Sequence, residues 1–155
     1  MGSDEVNTTT EAIDEESGME RAWGVAEPPG HYQFEPLSGH VIAAAIAVHK
    51  QLGPGFREEL YENALCIELD KRGLRYARQV DVPVYYDGIL VGTHTLDLLI
   101  GGSIVAELKS VAALSDVHYA QLQAYLQAAN VGVGLLLNFG DYPLGIKRLV
   151  NKHGR

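Results

Sequence analysis

The run Thr95-Leu96-Asp97-Leu98-Leu99-Ile100-Gly101-Gly102-Ser103-Ile104-Val105-Ala106-Glu107-Leu108-Lys109-Ser110 decides the fold. Two aliphatic segments flank a glycine pair, which is the pattern of a β-hairpin. Side chains along a strand alternate between its two faces. Leu96, Leu98, Ile100, Ile104, Ala106 and Leu108 therefore share an apolar face. Glu107 and Lys109 share the other, roughly 6.6 Å apart along the strand, with Leu99 and Val105 beside them.

Register makes a sharper demand. A two-residue Gly101-Gly102 turn would set Asp97 and Glu107 on opposite faces. A three-residue turn, Gly101-Gly102-Ser103, sets Asp97 directly against Glu107. The apolar alternation requires the second arrangement, so the sequence predicts a three-residue turn with a glycine bulge.

Charges inside apolar strands need a partner or a metal, because burying them alone is costly. Two adjacent carboxylates repel unless a cation lies between them. Hard oxygen ligands suit Mg²⁺ or Mn²⁺. A lysine two residues along can orient a water or meet a developing oxyanion. Asp97, Glu107 and Lys109 thus carry the equipment for metal-assisted hydrolysis of a phosphodiester. An Asp–Lys or Glu–Lys ion pair on a solvated sheet face competes with that reading, and the spacing alone does not separate the two.

Outward from the hairpin the chain is regular. Ser38 is placed to cap a helix running to Leu52, with Val41, Ala45, Val48 and Leu52 along one stripe. Gly53-Pro54-Gly55 breaks it. A second helix is predicted from Phe56 to Arg72, closed by Gly73. Strands are predicted at Gln79 to Tyr86, Ile89 to Gly92, Thr95 to Ile100 and Ile104 to Ser110, with Asp87-Gly88 as a tight turn. Ser115 caps a helix from Asp116 to Ala129, Val131 to Phe139 reads as a buried strand, and Gly145 to Val150 as a last short one. The class is α/β (α+β), a mixed sheet flanked by helices.

Composition bounds the function. At 155 residues one domain is expected. An apolar share of 46% with 21% charged residues excludes a collagen-like or wholly disordered chain. Cys66 is the single cysteine, which excludes a disulfide framework and a Cys-rich zinc site and leaves an inert buried thiol. No apolar run reaches the roughly 18 residues of a membrane span, and no signal peptide is visible. The expectation is a cytoplasmic, intracellular protein with no membrane association.

The net charge of −8 is unevenly placed. Residues 1–36 hold nine acids and one base, Arg21, whereas residues 37–155 hold eleven of each. The first stretch is expected to be an acidic disordered tail, or an arm shielding a basic groove. The domain is expected at 37–151, with a short basic tail at 152–155. A neutral domain is free to carry basic patches, and Lys71, Arg72, Arg75, Arg78, Lys147, Arg148, Lys152 and Arg155 are placed either for phosphate contact or as solvated surface.

The spacing Asp97…Glu107-Leu108-Lys109 resembles the PD-(D/E)XK nuclease superfamily. Gly55-Phe56-Arg57-Glu58-Glu59-Leu60-Tyr61 matches the G-x-x-E-x-x-Y signature of a small family within it. His49-Lys50-Gln51-Leu52-Gly53-Pro54-Gly55, the Q-x-x-x-Y element Gln121-Leu122-Gln123-Ala124-Tyr125, and the segment ending Leu135-Leu136-Leu137-Asn138-Phe139-Gly140 are similar too. The resemblance covers about Leu37 to Asn151.

It implies a restriction-endonuclease-like core and divalent-metal phosphodiesterase chemistry. Asp97 and Glu107 would hold Mg²⁺ or Mn²⁺, and Lys109 would be the catalytic lysine. Glu58 would add an acid from the second helix, Gln121 would steady site or substrate, and Tyr125 and Tyr61 would support them. Leu96 departs from the superfamily's proline, and Thr95 stands near where relatives often carry a basic residue. For Tyr61 and Tyr125 core packing competes with a role at the site. For Glu58 the competitor is an acid favoured by the helix dipole. His49 and His118 read as structural or at the edge of the site.

The function expected is a metal-dependent nuclease acting on DNA or RNA. An inactive module on the same fold, binding nucleic acid or a protein partner, is the alternative, and a purely structural domain a third. Oligomeric state is open, a homodimer included.

Overall fold

A computed structural model of the chain describes residues 35–152. The acidic tail expected at 1–36 lies outside the described residues except for its last two, and so does most of the basic end. The chain divides into two compact units, 1–44 and 45–155.

The described part of the first unit is the opening of α1 (Glu35–Leu52), which continues into the second. The helix starts ahead of Ser38, which is buried within it rather than capping it. Pro36 explains the early start: its ring presets φ, and a first-turn residue has no intrahelical use for the N–H that proline lacks.

In the second unit, α2 (Glu58–Lys71) begins two residues later than its sequence predicts. Arg57 keeps an extended backbone there (φ −72°, ψ 155°). The Phe56 N–H is held by the Tyr61 hydroxyl at 3.1 Å, and the Phe56 carbonyl by Ser110 Oγ at 2.9 Å. At the other end Gly73, at φ 71°, turns the chain while the Leu74 N–H reaches Leu69 O at 3.0 Å.

The sheet follows: β1 (Tyr76–Tyr86), β2 (Ile89–Ile100), β3 (Ile104–Lys109), then α3 (Asp116–Ala129), β4 (Val133–Asn138) and β5 (Gly145–Val150). The two short strands predicted over 89–100 are one continuous strand, because Gly92 and Thr93 pair straight through with Val84 and Pro83. Spatial order equals chain order. Only β3 and β4, linked through α3, run parallel. The β2–β3 register, Leu98 to Ala106 and Ile100 to Ile104, is the one the three-residue turn requires. Gly101 (φ 60°) and Gly102 (φ 70°) supply the left-handed backbone of that turn.

One buried cluster joins Val105 and Leu136 of the sheet to Leu122 and Leu126 of α3, with Leu99 packed against it. Gly134 permits this approach, since a Cβ there would stand 2.9 Å from the Leu122 side chain. Leu96 belongs to the same cluster, which corrects the simple alternation that put it with Leu98 and Ile100 on the far face.

The cause is a local break. Gln79, which faces Asp97 across the β1–β2 ladder, has φ 52°, and the pairing steps from Arg78–Leu98 to Val80–Leu96 without it. Arg78 and Gln79, neighbours in one strand, both reach Glu62 of α2, at 2.9 and 3.0 Å. The alternation therefore changes phase at Asp97.

Candidate active site

Asp97 and Glu107 are drawn together by two backbone N–H donors, those of Asp97 and Leu108. The Asp97 N–H donates to Glu107 Oε2 at 3.1 Å, and the Leu108 N–H donates to Asp97 Oδ2 at 2.9 Å. Regular β2–β3 pairing runs from the turn only as far as Leu98–Ala106. Beyond it the two carboxylates bond the backbone in place of carbonyls. The phase change at Asp97 frees its side chain to turn toward β3.

Burial sets the electrostatics. Glu107 is 5% exposed and Asp97 half-buried. Desolvation pushes both carboxyls up, Glu107 to about 8, with the Asp97 charge adding to its rise. The Lys109 charge pulls both down without cancelling that effect. Lys109 is half-buried, and its carbonyl accepts the Phe139 N–H at 2.8 Å. Such a pair keeps a proton near neutrality unless a cation replaces it.

The other expected residues are placed unequally. Tyr125 lies close enough for both carboxylates to act on its hydroxyl; burial first, then their charges, raise it. Its ring stacks on His94, centroids 3.5 Å apart. Glu58 lies instead in a cleft of about 640 Å³ between Gly55–Glu58 and Ser110–Ala112, beside Lys109 in sequence. Gln121 is exposed on α3, one turn before Tyr125. Tyr61 is fully buried: its hydroxyl bonds the Gly53 carbonyl, and its ring stacks on Phe139 at 4.5 Å. It pins the Gly53–Phe56 loop that forms one wall of the cleft.

His49 bonds the Phe139 carbonyl at 3.2 Å, and His118 Nδ1 accepts the Ser115 N–H at 3.0 Å, closing the start of α3. Arg78 is tied to Glu62 and Asn63. That geometry gives it a structural partner in place of the open phosphate contact weighed for it from sequence.

Three residues escaped the sequence reading. Glu62, buried and held by Arg78 and Gln79, is the α2 acid whose charge raises Asp97. Its signal was helical spacing, one turn after Glu58 on the same face. His94 carries a buried Nε2 with no hydrogen-bond partner, and burial lowers its pKa. Asn138 accepts the Val111 and Gly140 N–H groups, both at 3.0 Å, and donates to the Val111 carbonyl at 3.0 Å. It fixes the segment that follows Lys109. Gly140 completes the joint, since a Cβ would lie 2.4 Å from the Val111 carbonyl oxygen.

Among the described residues no cluster of three or more His, Cys, Asp or Glu side chains is placed to hold a metal. Mg²⁺, however, keeps several waters and is commonly held by one or two carboxylates. Two hard oxygen donors whose carboxyls are pushed up by burial fit such an ion, whose charge would offset the lost hydration.

A five-stranded mixed sheet flanked by helices, with paired acids leaving its central strands, is a restriction-endonuclease-like fold. Residues 35–149 match the model of the PD-(D/E)XK nuclease superfamily, and the chain belongs to that superfamily. No curated protein matches. A solved structure titled "Crystal structure of SSO0001" is similar at 20% identity and TM-score 0.46, over 60% of this chain and 49% of its own. The chain thus spans about half the length of that structure's chain. No described helix is long and apolar enough to cross a membrane.

Proposed function

We propose that the protein is a divalent-metal-dependent nuclease of the GxxExxY type, hydrolysing phosphodiester bonds in DNA or RNA. The side-by-side carboxylates of Asp97 and Glu107, held by the Leu108 and Asp97 N–H groups with Lys109 two residues beyond Glu107, carry the reading. Asp97 and Glu107 would hold Mg²⁺ or Mn²⁺. When bound, the ion supplies Lewis acidity and a lowered pKa for water.

The chain's own groups do the rest. The Asp97 and Leu108 N–H groups fix the carboxylates before any ligand arrives, which removes reorganisation from the reaction. Lys109 places positive charge where phosphoryl oxygens gain negative charge. Tyr125 and His94 wall the carboxylates with stacked rings. Glu58 and Gln121 line the approach, Glu58 from the cleft. The lone buried thiol of Cys66 suits a reducing cytoplasm.

The test is incubation with single- and double-stranded DNA and RNA in Mg²⁺, Mn²⁺ or chelator. Metal-dependent cleavage, lost in Lys109→Ala and in Asp97→Asn with the fold intact, is expected. Cleavage unchanged in both folded variants would reject the proposal. Salt-sensitive binding without turnover would reassign the chain as a non-catalytic module.

A further inference from the structure

Among the described residues two carboxylates are buried, Glu107 in the site and Glu62 on α2. A buried charge is costly unless it is paired and hydrogen-bonded. Glu62 meets that condition through β1. Its Oε2 accepts Arg78 Nε at 2.9 Å, and its Oε1 accepts Gln79 Nε2 at 3.0 Å. Arg78 also donates to Asn63, the next residue of α2. The chemistry assigned to Asp97, Glu107 and Lys109 makes no use of this acid.

The grip has an unusual shape. Successive side chains of a strand point to opposite faces, so two neighbours do not ordinarily reach one carboxylate. Gln79 makes it possible by taking φ 52°, a left-handed backbone that a glutamine rarely holds. Such a conformation persists only where its surroundings over-determine it, and it clusters at functional sites. The break stands opposite Asp97, since the ladder pairs Arg78 with Leu98 and Val80 with Leu96. Asp97 is thus left out of regular pairing on both sides. On one, β1 skips it at Gln79; on the other, β3 meets it through the two carboxylates. Burial raises the Asp97 carboxyl most, and the Glu62 charge raises it further, so the helix acid lies within electrostatic reach of the site.

Side chains of a regular strand stand roughly perpendicular to the sheet. Asp97 departs from that rule, because its Oδ2 reaches sideways to the Leu108 N–H of the neighbouring strand at 2.9 Å. We propose that Glu62 is a positioning residue: by fixing Arg78 and Gln79 it keeps β1 broken opposite Asp97 and so turns the Asp97 carboxylate toward β3. Glu62 acts through the strand and needs no contact with metal or substrate. Its effect on cleavage rests on the nuclease reading, whereas its effect on the placement of Asp97 does not.

Amide hydrogen exchange of the full chain reads that placement directly, because the Leu108 N–H is held by Asp97 only while the carboxylate faces β3. In Glu62→Ala the Leu108 amide should exchange ~10-fold faster, the scale of one lost hydrogen bond. The amides of Leu135 and Leu137 in β4 should keep their protection, which separates lost positioning from lost stability. The Mn²⁺ concentration that gives half the thermal shift should rise ~10–100-fold, as it does when a ligand loses its support. Gln79→Gly supplies the rescue, since glycine holds a positive φ without help. Added to Glu62→Ala, it should return most of the Leu108 protection and of the Mn²⁺ affinity. Pairing of the Arg78 charge would not be restored by that change, so rescue distinguishes the break from the ion pair. Glu62→Gln keeps the side chain's shape and one acceptor oxygen; it replaces Glu62→Ala if that variant does not fold, with a smaller loss at the same amide. Leu108 protection unchanged in a folded Glu62 variant would overturn the proposal. So would a loss shared equally by the β4 amides, or one that Gln79→Gly fails to reverse. A parent chain without metal-dependent cleavage would count against the nuclease reading alone, and the amide comparison would still decide the role of Glu62.

Discussion

One strand, β2, holds two opposite environments. Its inner half, Leu96 to Ile100, is largely buried, and there the unusual residue is a charge, Asp97. Its outer half, Ile89 to Thr93, is uncovered, and there the unusual residues are apolar. Each half departs from what its surroundings favour, and the departure points to a purpose. A carboxyl held in a buried strand needs a cation or a proton. An aliphatic ribbon held in water needs a neighbour. A general statement that β2 is hydrophobic would miss both, because burial and not composition assigns the meaning.

The largest effect that would break this contrast lies at the inner end. Lys109→Ala should lower metal-dependent cleavage by ~10²–10³-fold, as removal of a preorganised donor from a site does. Its thermal midpoint should stay near that of the parent, since Lys109 makes no ion pair among the described residues. Next in size is packing. Leu98 is fully buried, so Leu98→Ala should cost ~2–5 kcal/mol in urea denaturation. A smaller loss would mean that the inner half is less tightly held than its burial implies.

Much of this was legible in the sequence because parity is strict. Only one turn length puts Leu98 opposite Ala106 while setting Asp97 against Glu107, and the alternation chose it. The bounds of α3 and β5 were also readable, from Ser115 and from the turn residues before Gly145. Other features depend on partners distant in sequence. Gly92-Thr93 reads locally as a break, yet pairing with Pro83 and Val84 carries β2 through it. The phase change at Asp97 stems from the positive φ of Gln79, a residue that rarely adopts it. Glu62 is one of several acids in α2, and only Arg78 and Gln79, some sixteen residues away, set it apart. Asn138 looked like the tail of an apolar strand, although its three bonds to Val111 and Gly140 shape the segment next to Lys109.

A pH series sharpens the inner half of the comparison. The Glu107 carboxyl titrates near 4.5 when solvated and is pushed up to about 8 in the folded protein, by burial first and then by Asp97. Between those values the folded state holds a proton that the unfolded state has released. Stability from this group is therefore complete below 4.5 and is lost as pH rises through about 8. In chelator, the thermal midpoint should fall from about pH 5 to about pH 8. Glu107→Gln, which cannot ionise, should flatten the decline. Mn²⁺ should restore the midpoint more strongly at the alkaline end, where both carboxylates are free to bind it. A midpoint that rises with pH in chelator would show that the pair ionises freely and that burial does not control it.

The smallest expected effect tests the outer half. Ile89 is 68% exposed, so Ile89→Thr removes little that the single chain buries. The hairpin ends are set by the Asp87-Gly88 turn, with φ 52° and 73°, rather than by that side chain. Threonine also suits a strand. Ile89→Thr should change unfolding free energy by less than ~0.5 kcal/mol in urea denaturation. A loss as large as that of Leu98→Ala would place the outer half of β2 within the core. The two halves of β2 would then serve one purpose and not two.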